Sequence, residues 1–308
     1  MSVWCGRISV PALSSHLHSF GHRRRRSLPF LLKHLTTATT LTKATALPPE
    51  RNGETPPTST YGTTFLSSPT LQNLSPRQKD QISLYVSTLL QWNQRMNLTA
   101  VTEEREVMTR HVEDSLAILP PLQRSYLSHC SSSSSSSSCD GLNLVDVGSG
   151  PGLPGLIFAI ACPSWKVTLL ESMHKRCLFL EHIVDLTGLS NVQILRERAE
   201  NVGQCLDFRE LFDVAVARAV AEMRILAEYC LPLVRVGGLF VAAKGYHPQE
   251  EVKVAENAIR LMGASILELS TVESHGPLGQ RTVVICLKDR ATPRKYPRHP
   301  GVPSKMPL

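Results

Sequence analysis

The chain has 308 residues and a formal charge of +7, with 42% hydrophobic residues, enough for a sizeable core and too many for wholesale disorder. No apolar run reaches the roughly 18 residues a spanning helix needs, so no membrane partner is expected. Eight cysteines with no CxxC pair exclude a disulfide-stapled mini-domain and a zinc ribbon, and no metal is expected.

The charge excess is local. Seven Lys/Arg and no acid lie in residues 1–49, while the other 26 basic residues balance 26 acids. Twelve Ser/Thr share that segment with the Arg23–Arg26 run. Basic, hydroxyl-rich and acid-free is the composition of an organelle transit peptide, although a basic run can also bind RNA. Residues 1–70 are therefore read as transit peptide and linker. The high Ser/Thr content favours the chloroplast stroma, with the mitochondrion as the alternative.

Ser75-Pro76 reads as a helix cap and first helical residue, followed by Ile82, Val86 and Leu89 at helical spacing. A second helix is expected from Thr102 to about Leu119, stopped by Pro120-Pro121. Residues 71–130 thus form a small helical cap. Eight serines at 131–138, flanked by Cys130 and Cys139, bury nothing, so 131–139 reads as a flexible insertion, with a Cys130–Cys139 redox clip as an alternative.

Residues 140–290 alternate apolar runs and helical stretches. Strands are expected at 142–147, 167–170, 192–195, 214–217 and 239–243, with helices at 153–161, 175–186, 223–233 and 249–261 between them. Such alternation makes an α/β fold, a parallel sheet with helices on both faces. Two last strands, 265–269 and 281–287, would pair as an antiparallel hairpin at the sheet edge. The expected arrangement resembles the Rossmann-like sheet of class I S-adenosylmethionine-dependent methyltransferases.

The richest segment is Asp146-Val147-Gly148-Ser149-Gly150-Pro151-Gly152-Leu153-Pro154-Gly155, placed after a strand and before a helix. Backbone N–H groups can approach a ligand there because glycines leave room. Gly150-x-Gly152-x-x-Gly155 also fits a dinucleotide fingerprint, so the glycines alone do not separate NAD from S-adenosylmethionine. Asp146 shifts the balance, since a carboxylate two positions before the first glycine suits a cationic ligand and not a phosphate. Glu171, ending the second strand, is placed to accept ribose hydroxyls from either cofactor.

The loop resembles that of the RsmG (GidB) family, the guanine-N(7) methyltransferases of small-subunit ribosomal RNA. Further stretches agree: Trp92-Asn93-x-x-Met96-Asn97-Leu98-Thr99, Arg110-His111-x-x-Asp114-Ser115-Leu116, Leu169-Leu170-Glu171-Ser172 with Lys175-Arg176, Arg198-Ala199-Glu200 and Ala217-Arg218-Ala219. The C-terminal Pro293-Arg294-Lys295-Tyr296-Pro297-Arg298 matches as well. The resemblance implies that Gly148 and Leu153 line the cofactor site, that Ala199 and Glu200 lie against the adenine, and that Arg218 touches cofactor or target nucleotide. It implies S-adenosyl-L-methionine as cofactor and small-subunit ribosomal RNA, free or in the subunit, as partner. A methyltransferase of a small molecule and a non-catalytic ribosome-assembly factor are the alternatives.

Guanine N7 already carries a lone pair, so no general base, and no catalytic residue of that kind, is expected. His111 reads equally as a target contact or a buried structural histidine. Lys244, at the rim beside Arg218, is a candidate phosphate contact. Residues 291–308 read as a basic tail in which Arg294, Lys295 and Arg298 are candidates for RNA binding and Tyr296 for base stacking.

Overall fold

A computed structural model of the chain describes residues 69–129, 138–218, 220–274 and 279–308. The expected leader and linker, up to residue 68, and residues 130–137 of the serine segment, with Cys130, lie outside the described residues.

After a short turn of helix, α1 (Pro69–Gln72), the cap's main helix is α2 (Pro76–Met96). Ser75 caps it as expected, in a reciprocal box in which the Ser75 N–H donates to Gln78 Oε1 at 2.9 Å. Ile82, Tyr85, Val86 and Leu89 form its buried face. Asn97, in the left-handed region at φ 49°, ends it.

The second expected helix is broken into pieces. It comprises α3 (Glu104–Val107), a π-helical turn (Met108–Glu113) and α4 (Asp114–Leu116). Pro120 and Pro121 do not merely stop it; they sit in the first turn of α5 (Leu119–His129). First-turn N–H groups have no intrahelical acceptor, so proline loses no hydrogen bond there.

The core then alternates β1 (Asn143–Val147), α6 (Gly155–Ala161), β2 (Lys166–Leu170), α7 (His174–Thr187), β3 (Val192–Leu195), α8 (Ala199–Gln204), β4 (Phe212–Arg218), α9 (Met223–Cys230), β5 (Val234–Lys244) and α10 (Gln249–Leu261). β6 (Ala264–Val272), β7 (Arg281–Lys288) and a last turn, α11 (Val302–Lys305), complete it. The strands form one sheet in the order β3-β2-β1-β4-β5-β7-β6. Five strands are parallel, and β7 runs antiparallel between β5 and β6. The expected hairpin is present, with β7 inside and β6 at the edge.

Alternate strand residues feed two cores. Leu144, Val214 and Val216 pack with α2 and α6, and Val145, Ala215 and Ala217 pack with α9 and α10. That alternation is why β1 and β4 read as continuous apolar runs. The cap helices share the first core through Leu89, Leu116 and Leu122.

The C-terminal segment is not a free tail. Its Tyr296 is 6% exposed, and Arg298 grips the Glu228 carboxylate through Nε and Nη2 at 2.7–3.1 Å. Arg209 on the loop after α8 donates to the Tyr296 and Thr292 carbonyls, pinning the segment along α8 and α9. Tyr296 is therefore no stacking face and Arg298 no free cation.

Candidate active site

Strand order reverses between β1 and β4, so the crevice of the fold opens at the carboxyl ends of β1, β2 and β4. A cleft of about 490 Å³ lies there, within the range of small-molecule sites. Gly148, Gly150, Leu153, Glu171 and Arg218 all line it.

The glycine loop forms one wall. Gly148 and Ser149 donate their N–H groups to the Leu170 carbonyl at 2.8 and 3.2 Å, which ties the loop to the end of β2. Gly148 has φ +74°, and a Cβ there would stand 2.8 Å from Val220 Cγ2 on the opposite lip. Only glycine satisfies both conditions. Gly155 has a packing reason instead, since its Cβ would fall 2.7 Å from Asp146 Cβ and Leu169 Cδ2.

Glu171 is 3% exposed and forms the floor. Its carboxylate accepts from the N–H of Gly150 at 3.0 Å and of Met173 at 2.8 Å, and pairs with Arg176 at 3.5 Å. A carboxylate has about four lone-pair positions, so capacity remains for ribose hydroxyls. The glycine cradle and this carboxylate fit the adenosine and amino-acid ends of S-adenosylmethionine.

Asp146 lies beneath the loop, fully buried, and is not in the cleft wall. Its Oδ2 accepts from Gly155 N–H at 2.9 Å, and its backbone carbonyl accepts from Ser149 Oγ at 2.9 Å. Burial raises its pKa to about 7, against the opposing pull of the Gly155 N–H and the Arg218 charge. The geometry makes it a brace for the loop, in place of the expected contact with a cationic ligand.

The other wall comes from the cap. Leu98 and Thr99 follow α2, and His111 projects from the π-helical turn. Thr99 Oγ1 and His111 Nε2 are 2.7 Å apart. Arg218, ending β4, donates Nη1 to the His111 carbonyl at 3.3 Å and to Ser115 Oγ at 3.2 Å. A π-turn widens the helix and turns backbone carbonyls outward, and here the guanidinium collects them. Burial, then the Arg218 charge, lowers His111 to about 4, so its imidazole is neutral near pH 7.

Other expected residues lie elsewhere. Ala199 and Glu200 open α8 but do not line the cleft; the Glu200 carboxylate accepts from Gly301 N–H at 2.9 Å and from Arg198 Nη2 at 3.0 Å. Lys244 donates to the Ala221 carbonyl and pairs with Glu251, both at 2.7 Å, so it braces the loop after β4 and is not free for a phosphate. Arg294 and Lys295 are exposed beside the far end of α8, where the Arg294 carbonyl accepts from Gln204. Thr99, Met173 and Arg176 also line the cleft, and sequence reasoning misses them as site residues. The motifs that hold Thr99 and Arg176 are visible in the sequence, but only the fold brings these residues to one cleft.

Among the described residues no group of three or more His, Cys, Asp or Glu could hold a metal ion, and no helix is long and apolar enough to cross a membrane. A doubly wound sheet with reversed β7, a glycine loop after β1 and a buried acid after β2 defines a class I S-adenosylmethionine-dependent methyltransferase. Within that class, residues 78–283 match the family described as GidB, rRNA small subunit methyltransferase G, and the chain belongs to it. It is similar to ribosomal RNA small subunit methyltransferase G of Bacillus cytotoxicus, 39% identical over 77% of this chain and 93% of the relative. The protein of the same description from Oceanobacillus iheyensis is 37% identical with the same coverage.

Proposed function

We propose that the protein transfers the methyl group of S-adenosylmethionine to N7 of one guanine in small-subunit ribosomal RNA, and that it does so in an organelle, the chloroplast first and the mitochondrion second. The observation that carries the reaction is a cleft with two unlike walls. One is a glycine and carboxylate cradle suited to the cofactor. The other is a polar Thr99–His111–Arg218 surface where a base can be held against it.

S-adenosylmethionine supplies a methyl carbon on a sulfonium, open to in-line attack. The N7 lone pair forms the new N–C bond while the S–C pair returns to sulfur, and no proton leaves the base. The protein's task is to align the two and keep water out. Neutral His111 fits this chemistry as a hydrogen-bonding wall residue. Arg218 fixes the wall by holding the His111 carbonyl and Ser115 together. The names of the relatives support ribosomal RNA as the substrate, and the composition of residues 1–70 supports the organelle.

The test incubates the full chain with labelled S-adenosylmethionine and small ribosomal subunits lacking the methyl group, and maps modified nucleosides by mass spectrometry. One N7-methylguanine is expected. Methylation at another atom, or of small molecules only, would overturn the reading. Residues 1–70 fused to a fluorescent reporter should enter plastids, and a cytosolic reporter would remove the organelle from the proposal.

A further inference from the structure

A second cavity, of about 500 Å³, lies outside the cleft, along the seam between α2 and α7. It is lined by Gln91, Trp92, Arg95 and Met96 from α2 and His182 from α7. The Trp92 and His182 rings are stacked, with centroids 5.0 Å apart and planes at 28°. The Trp92 indole also meets the edge of buried Phe179 at 5.6 Å, which fixes its orientation. His182, Arg95 and Gln91 are exposed, and the five lining residues include no carboxylate.

A fixed indole under an exposed imidazole, with a guanidinium and an amide beside it, is an arrangement for stacking a flat base and meeting its phosphate. The surface it presents is mostly apolar, as the face of a base requires, and the Arg95 cation in the lining offers a phosphate what an apolar peptide would not use. The groove and the cleft share no lining residue, but both are built on the same two stretches of chain. Leu98 and Thr99 of the cleft wall closely follow Met96, and Met173 and Arg176 precede His182 along α7. From Met173 to His182 the helix rises about 14 Å. Exposed Lys175, on the same side of α7 two turns before His182, adds a cation along the way.

We infer that this groove takes an unpaired nucleotide of the substrate RNA flanking the target guanine, with its base stacked on His182 and Trp92 and its phosphate met by Arg95. The groove thereby helps choose which guanine reaches the cleft. The inference rests on ribosomal RNA being the substrate.

The experiment uses the full chain and two readouts. Binding of a protein-free RNA oligonucleotide carrying the target loop should quench the emission of Trp92, and the quenching should be missing in Trp92→Phe. The double variant Arg95→Glu, His182→Ala, both surface changes, should raise KM for RNA about tenfold or more, as expected when one stacked base and one phosphate partner are removed. Its KM for S-adenosylmethionine should stay within about twofold. An unchanged KM for RNA, or no quenching, overturns the groove's assignment. A KM that rises only with assembled subunits, without quenching by free RNA, also overturns it, in favour of a ribosomal protein contact. The quenching needs no turnover, so a wild-type protein that fails to methylate ribosomal RNA would sink the proposed function while the groove is still judged on binding.

Discussion

The two walls of the cleft are built by different means. The cofactor wall is drawn from residues 146–176 and consists largely of backbone N–H groups held by Leu170, Glu171 and Asp146. The target wall is made of side chains from three segments, Thr99, His111 and Arg218, which meet only in the folded chain. One wall is a local motif and the other a tertiary product. Damage should therefore differ in kind: a backbone wall fails by loss of room, and a side-chain wall by loss of one group.

The largest effect is expected at Gly148. Gly148→Val puts a branched side chain at φ +74° and into Val220, so S-adenosylmethionine affinity should fall more than about a hundredfold. Calorimetry should show this while far-ultraviolet circular dichroism stays unchanged. Unaltered affinity would mean the cofactor does not use this loop. On the other wall, Arg218→Ala removes the group that gathers the π-turn carbonyls, and kcat should fall about a hundredfold with little change in cofactor affinity. Arg218→Lys should recover only part, because an ammonium cannot span both acceptors as the planar guanidinium does. If cofactor affinity collapses with kcat, Arg218 belongs to the first wall and the division is wrong.

The C-terminal segment gives a purely structural counterpart. Glu228 is fully buried, and Arg298→Met would leave its carboxylate without its cation. A cost of about 3 kcal/mol follows, or a Tm lowered by roughly 6–12 °C. Adding Glu228→Leu should restore most of it, since a buried pair replaced by apolar residues is close to neutral. A single Arg298→Met variant with the wild-type Tm would show that the pair does not hold the segment down.

Two titratable groups beside the cleft, half-buried His111 and buried Asp146, move in opposite senses. His111, lowered to about 4, binds fewer protons folded than unfolded between pH 4 and 6.5, so its contribution to stability grows as pH rises through that window. Asp146, raised to about 7, binds more protons folded than unfolded, so its contribution is lost as pH rises from about 4 to 7. Of these two, only Asp146 contributes a slope above pH 6.5. Asp146→Asn keeps an acceptor for Gly155 N–H and should flatten the fall in Tm between pH 6.5 and 7.5. Cofactor affinity should stay within about threefold, because the group lies behind the loop. A larger loss would restore Asp146 as a charge partner of the ligand.

The same contrast governs what could be read in advance. The seven strands, the Ser75 cap and the glycine loop were legible because each is a short-range pattern with its own physical signal. The broken cap helix was not, since Pro120 and Pro121 stop one helix and open the next with the same chemistry. The short α8 follows β3 with no apolar period of its own. Lys244 and Arg298 look free in sequence because their partners, Glu251 and Glu228, are placed by tertiary packing at 7 and 70 residues' distance. Thr99 and Arg176 carried visible motifs, but nothing local told which face they would present.

The smallest effect is expected at Arg294 and Lys295, where the RNA reading of the C-terminal segment now rests. Arg298 has left that set because Glu228 holds it, so two exposed cations remain of three. Removing one phosphate partner lowers the log–log salt slope of RNA binding by about 0.7 to 0.9. The slope of the double alanine variant should therefore fall by at most about 1.5, with cofactor affinity unchanged. Both residues sit at the far end of α8 from Glu200, and the Lys295 ammonium stands 5.2 Å over the Tyr296 ring, which already supplies it with a partner. A single phosphate held by Arg294, a slope change of about 0.8, is the outcome this placement favours. No change in slope would make residues 291–308 a packing element alone, and RNA would then be gripped by the cap side of the molecule, which supplies residues to both the groove and the target wall.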